Sequence, residues 1–485
     1  MVQGREKSLK LNMILNAIKG IMSIVFPLIS FPYVSKILGV ENIGKYNFAN
    51  SIINYVVLFA GLGISTYAIR EGARIRNNMG ELRTFAGEMF SINVISTIVA
   101  YIGLFILLII VPKFHEYTSI LLILSLQVVF KTIGIEWIYS IYEDYAYITI
   151  RSIIFQALSL VLLFLLVKTQ NDVNRYAAIT VLSSVGSNIL NYVHARKYCK
   201  VSLTIKINWK RHIKPILVLF AMSLTVTLYV SSDTTMLGLL CNDYTVGIYS
   251  VSTKIYSIVK TVLSSVLVVS IPRLSSLIGE SKGDEFNEVA SDIYRTLLTL
   301  VLPAITGLIV LRKQIILILA DNTYIRAESS LMLLSIALLF CLGAWFWGQC
   351  ILVPLKKENI VFKATIVSAI VNVVLNLVLI KTWKENAAAF TTILAEAISL
   401  FWCSYFAHRY TKLTKIVSTT IKSLIGCLVI VGVAVLGSMI ISSDIAYICF
   451  TVGFSVLLYG TTEVFLKNEA IWSILRSLKK YSRDN

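Results

Sequence analysis

Apolar runs close to twenty residues long recur along almost the whole chain, and they constrain its fold more than any other feature. Wound as a helix, a run of about 20 residues crosses the hydrocarbon core of a bilayer. About fourteen can be counted, near 11–34, 42–68, 88–111, 119–141, 149–167, 175–193, 213–239, 247–270, 289–311, 329–353, 361–380, 387–408, 422–441 and 446–466. The breaks are short and polar, such as Lys168-Thr-Gln-Asn-Asp172. The runs are continuous and do not alternate with period two, which argues against a transmembrane barrel. The expected fold is an all-α polytopic membrane protein of about fourteen spans. Only 14% of the 485 residues are charged, against roughly 25% in soluble proteins.

The charges that remain orient the chain. With the N-terminus in the cytoplasm, the segments on that side hold 29 of the 44 Lys and Arg, and the opposite segments hold 10. Cytoplasmic loops carry the basic excess, so both termini are expected inside. The net charge of +18 lies mostly in those loops. It reads as topology and attraction to anionic membrane lipids rather than as a nucleic-acid surface, because no basic domain lies outside the spans. The first ten residues are polar and lead into a long apolar run, so no cleavable signal is expected. Seven cysteines form no C-x-x-C pair and read as packing residues, and four histidines fall in loops or at helix ends, so no metal site and no cofactor is expected.

The longest break, His194–Lys214, divides the chain. The expected organisation is an N-terminal lobe of six helices over 1–212 and a C-terminal lobe of six over 213–410. Helices 13 and 14 over 411–466, expected outside the two lobes, and a cytoplasmic tail over 467–485 complete it. A faint echo supports two lobes. Leu38-Gly39 followed by Gly44-Lys-Tyr46 is answered by Leu237-Gly238 followed by Gly247-Ile-Tyr249. Both first helices would enter from the cytoplasm, which is a parallel repeat, and two lobes around a cavity suit alternating access. In the tail, Ile471, Trp472, Ile474, Leu475 and Leu478 share one helical face, the pattern of a helix on the inner leaflet; a solvated tail is the plainer alternative.

Lys19, Lys131, Lys254 and Lys260 fall inside apolar runs. An ammonium at bilayer depth is costly, faces a bundle interior or wet cavity, and suggests a passage for an anion. Lys19 and Lys254 are the deepest. Lys131 has Glu136 at i+5 as a possible partner, and Arg151 and Arg295, near helix ends, read as snorkelling to headgroups. Three inner acids, Asp233, Glu136 and Glu396, suit proton or sodium coupling, or serve as counter-ions to the lysines. Asn372 and Asn376 share a face at i,i+4, suited to sugar hydroxyls or to interhelical hydrogen bonds. Trp345-Phe-Trp347 with Gln349 could stack on sugar rings, though core placement is the plainer reading. No P-loop, G-x-G-x-x-G, G-x-S-x-G or H-E-x-x-H is present, so no enzyme signature is found.

The first two spans read Phe26-Pro27-Leu-Ile-Ser-Phe31-Pro32-Tyr33, then Ile37-Leu38-Gly39-Val-Glu-Asn42-Ile-Gly44-Lys-Tyr-Asn-Phe48, and continue to Gly61-Leu62-Gly63 and Ala68-Ile-Arg70-Glu71. Over about the first 80 residues this resembles the start of Wzx-type polysaccharide flippases, in the multidrug/oligosaccharidyl-lipid/polysaccharide exporter superfamily. The resemblance implies translocation of undecaprenyl-pyrophosphate-linked oligosaccharide repeat units across the bacterial inner membrane for O-antigen or capsule synthesis. It implies a polysaccharide polymerase and a chain-length regulator as partners, and cationic residues in the first and eighth helices, where Lys19, Lys254 and Lys260 fall. An ion-coupled drug antiporter of the same superfamily is the main rival. It would normally have twelve spans and an acidic cavity. A membrane polysaccharide polymerase is a second rival, and the short outer loops argue against it.

Overall fold

The computed structural model describes residues 9–280 and 282–473; of residues 9–19, 21, 23 and 24 it gives the backbone course only. Ile474, Leu475 and Leu478, which complete the expected surface face of the tail, lie outside the described residues, as does the side chain of Lys19. The described chain is helical, with no strand. Twelve helical stretches are long and apolar enough to cross a membrane. The difference from fourteen arises at two places. The first two runs form one stretch, α1 (Leu9–Gly61), which bends at Gly39, where φ is 75° and ψ 173°. That backbone conformation is open to glycine and costly for other residues. The sixth run is split into α7 (Val173–Val181) and α8 (Asn188–His194) by a wider helical turn at Leu182–Gly186, so no single helix of spanning length forms there.

Contacts group the chain into two compact units, Met1–Gly238 with Asn242–Gly247, and Leu239–Cys241 with Ile248–Asn485. In the first, α1 is followed by α2 (Ile64–Ile75), α3 (Met79–Ile110), α4 (Thr118–Gly134), α5 (Glu136–Ile141), α6 (Tyr145–Leu166), α7, α8 and α9 (Trp209–Leu240). The expected division between 212 and 213 places this last helix at the start of the second lobe. Its packing groups it with the first unit through Gly238: Thr235 Oγ1 donates to Ser51 Oγ at 2.9 Å, and Gly63 admits Leu219 so closely that a Cβ there would lie 2.9 Å from the Leu219 Cβ. The core of this unit gathers Tyr67, Phe85, Met89, Trp137, Ile138 and Tyr139.

The echoed glycines meet within this first unit. A Cβ on Gly44 would fall 1.8 Å from the Asp243 carbonyl oxygen and 2.9 Å from the Gly247 nitrogen. A Cβ on Gly247 would fall 2.1 Å from the Val40 carbonyl oxygen. The contact is reciprocal, with each glycine facing the residue four before the other. Only the absence of side chains lets the two backbones approach this closely.

The second unit contains α10 (Asp243–Gly279) from Ile248 onward, α11 (Gly283–Leu319), α12 (Ala327–Trp345), α13 (Glu358–Trp383), α14 (Glu385–Ala407), α15 (Ile416–Ile440) and α16 (Asp444–Phe465). Its core includes Leu267, Leu274, Phe286, Phe346 and Trp347. Phe346 and Trp347 are buried in this core and Trp345 packs against it half-buried, while Trp347 lies 4.7 Å from the His408 ring. Helices α15 and α16 are pinned to α11: Tyr459 donates to the Thr299 carbonyl at 2.7 Å.

One clasp appears in both units. In the first, the segment after α8 lies across α3: Thr204 N–H donates to Ser91 Oγ at 2.8 Å and Asn208 N–H to Glu88 Oε1 at 3.0 Å. In the second, the segment after α14 lies across α11 in the same way. Lys412 N–H donates to Asn287 Oδ1 and Thr414 N–H to Ser291 Oγ, both at 3.0 Å. Side-chain acceptors on a helix thus satisfy backbone donors of a segment with no ladder of its own.

Candidate functional site

A cavity of about 480 Å³ opens in the first unit. Its walls come from the end of α1, the start of α2, Asn93 of α3, residues 128–132 of α4, and α9 from Ser223 to Ser231. The turn Leu62–Gly63, with φ of 44° and 73°, ends α1 and frees carbonyls that need donors. Asn93 Nδ2 and Ser96 Oγ both donate to the Ala60 carbonyl, at 2.7 and 2.5 Å. Thr97 and Thr132 hydroxyls lie 2.7 Å apart and tie α3 to α4. These bonds fix the wall from which Lys131 projects.

Lys131 is the one charged side chain lining this cavity, among the described residues. It is exposed and forms neither an ion pair nor a hydrogen bond with them. Around it stand Asn54, Ser65, Thr66, Thr132, Ser223, Thr227 and Ser231, a set of neutral hydrogen-bonding groups. One flexible point charge among hydroxyls and amides is suited to an anionic group joined to a polar body. Ser223, Thr227 and Ser231 repeat every four residues on α9 and so form one polar stripe. That four-residue spacing is legible in the sequence.

The expected partnership of Lys131 with Glu136 does not form. Ile135 takes φ 37°, ψ 40° and ends the helix between them, so Lys131 lies on α4 and Glu136 on α5. Glu136 instead accepts from Arg151 Nη2 at 2.9 Å. Arg151 does not snorkel: it is 5% exposed, with its guanidinium over the Tyr147 ring at 5.7 Å. Arg295, read in the same way, is 7% exposed and paired with Asp292. Asp233 is buried on α9 two residues beyond the cavity-lining Ser231, with Tyr55 as an electrostatic neighbour.

The remaining candidates belong to the second unit. Lys254 is half-buried on α10 and has no ion pair or hydrogen bond among the described residues. Lys260, also half-buried, lies 5.6 Å from the Tyr256 ring centroid, with Glu396 and Cys341 as its electrostatic neighbours. Asn372 and Asn376 are fully buried. Asn376 Nδ2 donates to Asn372 Oδ1 at 3.2 Å, and Thr391 Oγ1 of α14 donates to Asn376 Oδ1 at 2.7 Å. These amides are engaged in a network between α13 and α14.

A family model described as polysaccharide biosynthesis protein matches residues 9–278, more than half of the chain. The chain belongs to the polysaccharide biosynthesis protein family. A second model, MatE, matches residues 219–378. The putative O-antigen transporter of Escherichia coli strain K12 is 22% identical over 396 residues, which cover 81% of this chain and 94% of that protein. The capsular polysaccharide biosynthesis protein CapF of Staphylococcus aureus is 23% identical over 380 residues, covering 76% and 91%. Among solved structures, the lipid II flippase MurJ in an inward closed conformation superposes with a TM-score of 0.74 at 16% identity, covering 94% of this chain and 99% of that one. At that identity the likeness establishes the fold. The Wzx-type resemblance of the first two spans and this membership agree, and the family is one of multi-pass membrane transporters rather than enzymes.

Proposed function

We propose that this chain is a flippase that moves a lipid-linked oligosaccharide, its lipid end carrying a phosphate or pyrophosphate, between the leaflets of the bacterial inner membrane. The cargo implied by the resemblance is an undecaprenyl-pyrophosphate-linked repeat unit destined for O antigen or capsule. Transport proceeds by alternating access, both termini lie in the cytoplasm, and a polymerase and chain-length regulator take up the product. The observation that carries this reading is the charge of the first-unit cavity, where Lys131 is the one charged side chain, among the described residues, in a wall of neutral polar and apolar groups. A drug antiporter for cations calls for an acidic lining, and this cavity offers the opposite sign. Lys254 and Lys260 add positive charge in the second unit, and Lys19 in the first helix belongs to the same proposal. Asp233, Glu136 and Glu396 are the proposed coupling acids, with proton or sodium as the ion.

The test is leaflet-resolved transport of a fluorescent lipid-linked oligosaccharide in proteoliposomes. Wild-type protein should move the label across, Lys131→Arg should retain much of the rate, and Lys131→Ala should lose most of it. Transport by Lys131→Ala at the wild-type rate would remove this cavity from the path.

A further inference from the structure

The segment between α8 and α9 is held to the protein along one side and left bare along the other. Cys199 and Val201 are buried in the core, and the clasp of Thr204 and Asn208 to α3 fixes the backbone. At Gly87 the Ser202 carbonyl approaches so closely that a Cβ would lie 3.0 Å from it. From there the chain turns its apolar side chains outward. Leu203 is 64% exposed, Ile205 100% and Trp209 43%. Leu203 and Ile205 flank Thr204, whose N–H is turned to α3, and both side chains are exposed. A pinned backbone that displays large apolar side chains is costly in water, because their burial is forgone.

Two further observations say what covers this edge. The segment is uniformly basic: Lys200, Lys206, Lys210, Arg211 and Lys214 occur in 199–214 and no carboxylate does. Of these, Arg211 alone has a carboxylate in reach, Glu81 at 4.0 Å, among the described residues. The flanking helices also turn apolar side chains outward up to the segment and directly after it. Ile189, Leu190 and Val193 are exposed on α8, and Leu217 and Val218 on α9. The exposed edge thus continues an exposed apolar surface of the flanking helices, with a tryptophan at the first residue of the spanning helix α9, a position where such rings gather in membrane proteins.

We propose that Leu203, Ile205 and Trp209 enter the headgroup–acyl boundary of the bilayer, while Lys200, Lys206 and Lys210 bind the phosphates of anionic lipids. The partner is a lipid surface, recognised by apolar burial and negative charge together. This site is separate from the cavity, so the proposal stands whether or not the cavity carries the cargo. Its consequence is that the clasp on α3 is stabilised from the membrane side and responds to the anionic lipid content of that leaflet.

The test uses nitroxide labels on single cysteines at 203, 205, 206 and 208 in the full chain, with Cys241 and Cys449, the two cysteines that are not buried, replaced by alanine. The protein is reconstituted in phosphatidylglycerol-containing and in purely phosphatidylcholine bilayers. In anionic bilayers, labels at 203 and 205 should collide with dissolved oxygen and be shielded from an aqueous nickel chelate, and labels at 206 and 208 should do the reverse. Each lysine replaced by glutamine should weaken the anionic-lipid dependence of the 205 signal by about fivefold. Equal exposure of 205 and 206 to the nickel chelate would overturn the proposal by placing the edge in water. Shielding of 205 from both reagents would overturn it in favour of a protein partner. Leu203→Gln alone keeps the clasp donors intact and should raise the nickel exposure of the label at 205; an unchanged signal would also refute insertion.

Discussion

Replacing Gly44 by alanine tests the reciprocal glycine contact directly. The added Cβ would lie 1.8 Å from the Asp243 carbonyl oxygen and 2.6 Å from its carbon. Ordinary van der Waals contact begins near 3.4 Å, so one backbone must retreat by about 1.5 Å. The obstacle is main chain and cannot rotate away as a long side chain could. Overpacking of a tight core costs about 1–3 kcal/mol, and a backbone clash belongs at the upper end. Gly247→Ala, facing the Val40 carbonyl at 2.1 Å, should cost a similar amount. The control is Gly103→Ala on α3, where nothing lies within 4 Å and the gain in helix propensity should leave stability equal or raised by up to about 1 kcal/mol. Thermal unfolding of detergent-solubilised protein can be followed by a dye that reacts with thiols as the five buried cysteines become exposed. If Gly44→Ala unfolds together with Gly103→Ala, the close approach of α1 and α10 is wrong.

Three further outcomes follow from the buried polar groups. Glu136→Ala strands the Arg151 guanidinium, which is 5% exposed, and should cost about 3 kcal/mol, whereas Arg151→Met leaves a 45% exposed carboxylate that water can serve and should cost less; equal losses in denaturation would refute the asymmetry. His212→Phe leaves Glu88 Oε2 and the Tyr67 hydroxyl without the ring nitrogens that now lie 3.0 and 2.9 Å away, so thermal unfolding should show a loss of about 1–3 kcal/mol. Asp172 accepts from the Lys168 and Thr169 N–H groups, which hold its carboxyl below the usual carboxylate range. A lowered value means that the stabilisation is present at neutral pH and disappears as the carboxyl is protonated. The Tm deficit of Asp172→Asn should therefore be largest near pH 7 and shrink in acid, and a deficit independent of pH would contradict this.

The membrane fold was legible because hydrocarbon thickness sets a length that the sequence repeats, and, of the helix and the closed barrel that can satisfy their backbone groups in lipid, continuous apolar runs fit the helix. The number of helices was less so. Gly39 bends one continuous stretch where hydropathy shows two, and the widened turn before Ser187 breaks one where hydropathy shows a single run. Both are backbone events with no apolar signature. Lys131 stood out in the sequence because a cation in an apolar run is conspicuous, and it lines the cavity. Its separation from Glu136 was hidden, because Ile135 in a left-handed conformation is not written in residue type. Asn372 and Asn376 illustrate the reverse limit. Their i,i+4 spacing places them on one face, but only the position of Thr391 on the neighbouring helix shows where their hydrogen bonds go.

The central claim is that positive charge in the cavity meets the phosphate end of the cargo. Its most direct measurement is the affinity of purified protein, in detergent, for lipid-linked sugars that differ only in carrying a pyrophosphate, a monophosphate or no phosphate. A charge-assisted hydrogen bond is worth about 1.5–3 kcal/mol, so Lys131→Gln should weaken binding of the phosphorylated ligands roughly tenfold or more. Binding of the phosphate-free ligand should be unchanged. Equal weakening of all three, or none, would contradict the account.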